Sequence, residues 1–198
     1  MWTIASILCP PGDTDAMKVL VISGGAASGN TSVQCQTFLS SLPERWGREM
    51  IRVGDLIINH CDGCGSCAGG ECRHDDDMAK VIGAFDSADA VVFATPIRFN
   101  GPSSAVKAVI DRFQVVWESP DLIEKKRRFM TFIASSGSDK PDIKPCTTIF
   151  RSFCFAFGGE WIEPHVFTGT DKSTEGMAVA AAQFASKFAM AVVDRIDP

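Results

Sequence analysis

The chain has no tyrosine, only three histidines among its 198 residues, and fewer basic than acidic side chains, 19 against 24. A formal net charge of -5 argues against the sequence-independent grip on phosphate backbones that nucleic-acid binders use, so a small-molecule partner is expected. No apolar run reads as long enough to span a bilayer, which sets a membrane class aside. Hydrophobic residues at 45% and charged residues at 22% are ordinary for a folded domain and exclude disorder. The length suits one domain with a full-sized core and is too short for two.

Trp2 to Leu8 is a short apolar stretch, but no basic residue precedes it and Leu8 is a poor small residue before Cys9. It is not read as a signal peptide. Residues 1–16 are taken as a leader and residues 17–198 as the domain, because Met17 and Lys18 open the first strand-like run directly. Of the eight cysteines, four crowd between positions 61 and 72, while Cys9, Cys35, Cys146 and Cys154 are scattered. That crowding points to metal ligation in a reducing cytoplasm rather than to disulfides.

Apolar runs at Lys18 to Ser23, Asp89 to Thr95 and Phe129 to Ser135 have the continuous character of strands buried on both faces of a parallel sheet. Glu49 to Val53 is a weaker strand, and Trp161 to Phe167 is a last one, placed at an edge by Pro164. Helical patterns fall between them: from Asn30 with Cys35, Phe38, Leu39 and Leu42 on one face, over Met78 to Phe85, Ser103 to Trp117 and residues 147–157, and in a final stretch carrying Met177, Ala181, Phe184, Phe188 and Ala191. The EKKRR run at 124–128 reads as a solvated helix end. Five strands alternating with helices predict an α/β fold of three layers, a doubly wound parallel sheet in the flavodoxin-like order 2-1-3-4-5. Ligands of such sheets lie beyond the carboxyl ends of the strands, which nominates the loops after strands 1, 3 and 4.

The first loop runs from Ser23 through Gly25 and Ser28 to Asn30 and Thr31. Its glycines, hydroxyls and helix amino terminus suit a phosphate, while the alternative is a plain turn capped by Ser28 or Asn30. It lacks the Gly-Lys-Ser/Thr ending of an ATP-binding loop and is no good G-x-G-x-x-G. In the second loop, Thr95-Pro96-Ile97-Arg98-Phe99-Asn100-Gly101, a flat ring could lie against Pro96, Ile97 and Phe99; the alternative is an ordinary turn with Phe99 in the core. Ser135, Ser136, Gly137 and Ser138 form the third rim.

Between Ile58 and Asp77 the chain has neither period and reads Cys61-Asp62-Gly63-Cys64-Gly65-Ser66-Cys67, with Cys72 after four more residues. Four thiolates at this spacing can wrap a compact iron-sulfur centre, and the glycines let the loop curl. Zinc is the competing metal, and an empty loop of reduced thiols is the third possibility. His60 and His74 are taken as solvated or capping side chains, and Asp75 to Asp77 as holding the cap of the next helix.

Together, CDGCGSCAGGECRHDDDM and TPIRFNGPSSAVKAVIDRF resemble the iron-sulfur flavoprotein branch of the NADPH-dependent FMN reductases, from about Lys18 to Phe113. The resemblance implies FMN, a 4Fe-4S cluster on Cys61, Cys64, Cys67 and Cys72 close to the flavin ring, and a homodimer or homotetramer. It also implies an oxidoreductase fed by NAD(P)H or a ferredoxin-like donor, in which no side chain acts as acid, base or nucleophile. A non-enzymatic electron carrier and a zinc-stabilised module without flavin are the alternatives. Two departures from the family pattern stand out: Ser23-Gly24-Gly25-Ala26 replaces the usual Gly-Ser-Pro-Arg, and Arg98 replaces a tyrosine.

Overall fold

A computed structural model describes residues 17–196; the expected leader, 1–16, lies outside the described residues. The three apolar runs form β1 (Lys18–Ser23), β3 (Ala90–Pro96) and β4 (Phe129–Ser135), buried almost throughout. With β2 (Gly47–Arg52) at one edge, the order is β2-β1-β3-β4-β5, parallel at every pairing. The expected doubly wound α/β order is therefore what the chain adopts. The last strand is not continuous as expected: β5 (Glu160–Trp161) and β6 (His165–Phe167) pair separately with β4. Pro164 has no N–H to give to the ladder, and pairing resumes one residue later, at His165 opposite Ile133.

Alternate strand residues feed two cores. Val19, Val21, Val92 and Ile133 pack under α1 (Asn30–Ser40) and α6 (Met177–Ile196). On the other face Leu20, Ile22, Val91, Phe93 and Phe132 meet α2 (Met78–Ser87), α3 (Ser104–Arg112) and α5 (Lys144–Ala156). Phenylalanine rings fill this second core edge to face, as at Phe85–Phe113 (4.9 Å, 65°) and Phe93–Phe153 (5.0 Å, 84°). With no tyrosine among them, no buried hydroxyl needs a partner there. Cys35 and Cys146 are core thiols, each pushed up to about 12 by burial.

Three further expectations are corrected. The stretch from Ser103 to Trp117 is two helices, because Phe113, with ψ -3°, turns the chain between α3 and α4 (Gln114–Glu118) and buries its ring against Phe85 and Phe153. By length and composition α6 is apolar enough to cross a bilayer, which the sequence reading did not pick out; here its Phe184 and Phe188 pack on Phe38, 5.5 and 5.4 Å between centroids. Residues 124–128 are no helix end. Arg128 is 1% exposed and donates to the carbonyls of Phe85 (3.2 Å), Asp86 (2.9 Å) and Glu124 (3.0 Å), closing the carboxyl end of α2.

Arg128→Met strands those carbonyls and is expected to cost roughly 3 kcal/mol, read as a lower urea midpoint. An unchanged midpoint contradicts this role.

Candidate functional site

β3 and β4 end level, Pro96 opposite Ser135, and β1 stops two residues short of them, Ser23 opposite Ala94. Each following loop is stitched to its neighbour by its first residues, Gly24 N–H to Ala94 O (2.8 Å), Ile97 N–H to Ser135 O (2.8 Å) and Ser136 N–H to Phe167 O (2.9 Å). They enclose a cleft of about 560 Å³ lined by Gly25, Asn30, Thr31, Pro96, Ile97, Arg98, Phe99, Asn100, Ser135, Ser136 and Gly137. All of these were expected from the sequence.

Four expected residues do not line it. Ser28 points to solvent. Ser23 is buried and accepts Gly25 N–H at 3.3 Å, Thr95 is buried and accepts Ser103 N–H at 2.8 Å, and Gly101 pairs with Arg98. Their work is to shape the walls.

The first loop approaches its neighbours closely. A Cβ at Gly25 would come within 2.8 Å of Thr31 Cβ, and one at Gly24 within 2.4 Å of Ser103 Oγ. Neither Ser28 nor Asn30 caps α1: Gly29 holds the cap position with no side-chain hydrogen bond, and no acidic residue occupies the first turn. The opening amides therefore have no side-chain acceptor, and the positive helix end faces the cleft without a carboxylate in that turn. Behind them Ser135 Oγ lies 3.1 Å from Thr31 Oγ1 and accepts from Gln34 Nε2 at 2.6 Å, leaving Gln34 Oε1 buried without a partner.

Phe99 is not a core ring. It and Asn100 have positive φ, 47° and 65°, in a two-residue hairpin closed by Arg98 and Gly101, and the Phe99 ring is fully exposed. Left-handed backbone at a phenylalanine is strained by roughly 1–3 kcal/mol, and such strain gathers at binding loops.

Sequence reasoning missed the fourth wall. Lys140, Thr170 and Asp171 also line the cleft, as does Ser138 at the end of the expected third rim, and Asp171 packs so tightly that a Cβ at Gly137 would meet its carboxylate at 2.3 Å. Applying the carboxyl-end rule to the loop after the last strand would have found Thr170 and Asp171. Gln34 was legible too, one helical turn beyond Thr31.

The four clustered cysteines surround a second concavity of about 370 Å³, together with His74, Asp111, Arg112, Gln114 and Glu118. Gly63, Gly65 and Gly70 take positive φ (70°, 78° and 79°), the curl expected of them. Burial, then the thiols of Cys72, Cys61 and Cys64, push Cys67 up, so the four sulfurs share one electrostatic neighbourhood. Among the described residues no three of His, Cys, Asp and Glu are arranged to hold a single ion. His60 is exposed; His74 is neither solvated nor a cap, its Nε2 buried 3.6 Å from Asp62. The two concavities share no lining residue. Ser103 abuts the first loop and Arg112 lines the cysteine hollow, so α3 runs from one concavity to the other.

The cysteine loop is closed at its base. Ile57 and Asp77 exchange two hydrogen bonds, and Asp76 accepts from the Asn59 amide (2.9 Å), from Met78 N–H (3.1 Å) and from both η nitrogens of Arg112 (2.6 and 3.0 Å). The capping bond to α2 thus comes from Asp76, while Asp77 holds the cap position. Burial favours a neutral Asp76, yet the bonds from Arg112, then Asn59 and Met78, outweigh it and hold the carboxyl far below the usual range. Asp76→Ala leaves a buried guanidinium unpaired and is expected to cost about 3–5 kcal/mol at pH 7, read by urea titration. A depressed folded-state pKa contributes stability above the ordinary value of about 3.9 and loses it as pH falls further. The gap between wild type and variant should therefore stay constant from neutrality to about pH 4 and narrow only below it; narrowing near neutrality contradicts the assignment.

Residues 17–144 match the family described as NADPH-dependent FMN reductase. An iron-sulfur flavoprotein of Archaeoglobus fulgidus is 35% identical over 98 residues, covering 48% of this chain and 48% of that protein. A second from the same organism is 32% identical over 130 residues, covering 64% of this chain and 58% of its own length. The chain thus spans about half the length of these curated relatives. Among solved structures, a flavone reductase superposes with a TM-score of 0.70 at 22% identity, over 91% of this chain and 65% of that one, a likeness of fold. With most of the domain matched, from β1 to the start of α5, and the sheet order in agreement, the chain belongs to the NADPH-dependent FMN reductase family and has its flavodoxin-like fold.

Proposed function

We propose that the chain is an FMN-dependent oxidoreductase that passes electrons between a reduced donor, FMN and an iron-sulfur cluster. The observation that carries this reading is a strand-end cleft, walled by an uncapped helix terminus and an apolar Pro96–Ile97 edge, on a chain that also gathers four thiols around one concavity. NAD(P)H, or a ferredoxin-like protein, is the proposed donor; the family description favours the first. Residues 17–198 act as one FMN-binding domain, in the cytoplasm, as a homodimer or homotetramer.

FMN, when bound, supplies acceptance of a hydride or two electrons and their release one at a time. The chain's part is binding and exclusion. Backbone amides from Gly25 to Thr31 hold the phosphate, and the Thr31–Ser135–Gln34 hydrogen bonds fix the floor beneath them. Pro96 and Ile97 offer an apolar wall to the ring, and backbone groups of Ser135 to Gly137 meet its polar edge. Arg98 brings a guanidinium to the rim, suited to stack on a ring or to answer negative charge.

The donor set also fits a cluster. Zinc, the competing metal, would need all four sulfurs about 2.3 Å from one point. A cube of iron and sulfide meets each thiolate at a separate corner, as four cysteines spread around one hollow allow.

Anaerobically purified protein is expected to carry FMN with about four iron and four sulfide per chain. Cys61→Ser should lose iron and keep flavin, whereas Gly25→Val, which fills the phosphate cradle, should lose flavin and keep iron. Colourless protein containing zinc contradicts the reading. Protein that holds both groups but oxidises no NAD(P)H, while exchanging electrons with a small redox protein, is a carrier.

A further inference from the structure

Arg112, the last residue of α3, is 3% exposed. Both η nitrogens are engaged: Nη1 donates to Asp76 (2.6 Å) and to the Asn59 carbonyl (2.9 Å), and Nη2 donates one of its hydrogens to Asp76 (3.0 Å). These bonds account for everything a brace at the base of the cysteine loop requires. The third donor is left over. Nε–H is buried and has no acceptor, although a buried unsatisfied donor is costly and calls for an explanation.

Its surroundings supply one. Arg112 lines the hollow of the four cysteines. Cys72 lines the same hollow as this side chain. Asp62, the other carboxylate bordering the hollow from within the loop, is taken up by Arg73 at 2.9 Å.

We infer that Arg112 is a positioning residue for the redox centre: Asp76 and Asn59 fix its fork, and the free Nε–H donates to sulfur at Cys72 once that sulfur carries the cluster. The inference rests on reading the cysteine loop as a cluster site. Reduction adds one electron and no proton, so the cluster gains one negative charge. A hydrogen bond to its sulfur and a fixed positive charge favour that form and raise the reduction potential.

The test is a mediated anaerobic dithionite titration followed by electron paramagnetic resonance, with iron, sulfide and FMN counted in each sample. Arg112→Lys keeps a cation for Asp76 but removes the Nε donor. The double variant Arg112→Gln with Asp76→Asn removes both charges together, so no buried charge is stranded if the lysine variant folds poorly. Both are expected to keep iron, sulfide and FMN at wild-type levels, to lower the cluster midpoint, and to leave the flavin midpoint unchanged. A cluster midpoint equal to wild type overturns the inference, as does a variant that binds FMN and assembles no cluster, for Arg112 is then only a brace. Wild-type protein without iron and sulfide overturns the cluster reading itself, and this inference with it.

Discussion

The structure depends on how β1, β3 and β4 align. All three are apolar on both faces, so the alternation of in and out that fixes register in a half-exposed sheet is absent here. What remains is where each run turns polar. Ser23 and Ser135 close β1 and β4, Thr95 stands one residue before the end of β3, and sliding any strand inward would bury a hydroxyl away from its partners in the first loop, at Ser103 or on α1. The polar ends therefore come within two residues of one another, and the loops that follow meet. The cleft is a consequence of the same constraint that builds the core.

A second tether sets the cysteine loop. Residues 58–77 have no regular framework beyond one short 3-10 turn at Ser66–Gly69, and few of their side chains are buried. Their geometry comes from the base, where Asp76 gathers donors from both ends of the loop and from α3. Because α3 begins beside the first loop and ends on Arg112, one rigid helix links the two concavities and sets their spacing.

Much of this was legible in the sequence. Continuous apolar runs separated by helical patterns gave the sheet order, and the carboxyl-end rule then named most of the cleft. What escaped were features that depend on partners distant in the chain. Arg128 looks like one charge in an exposed run, and only the carbonyls of Phe85 and Asp86 reveal it as buried. Asp76 looks like one of three acidic residues before a helix, and only Arg112, 36 positions on, singles it out. Phe99 was expected at the cleft, with a core ring as the alternative, and only the left-handed turn shows its ring carried outward. The closeness of the cysteine loop to the flavin was an implication of the family resemblance, with no residue pattern behind it.

A crystal structure of anaerobically purified, FMN-loaded protein examines the central claim most directly. The account requires phosphate density on the amides between Gly25 and Thr31, with the ring against Pro96 and Ile97 and facing Ser135 to Gly137. Flavin bound on any other surface, with that turn free of phosphate, contradicts it.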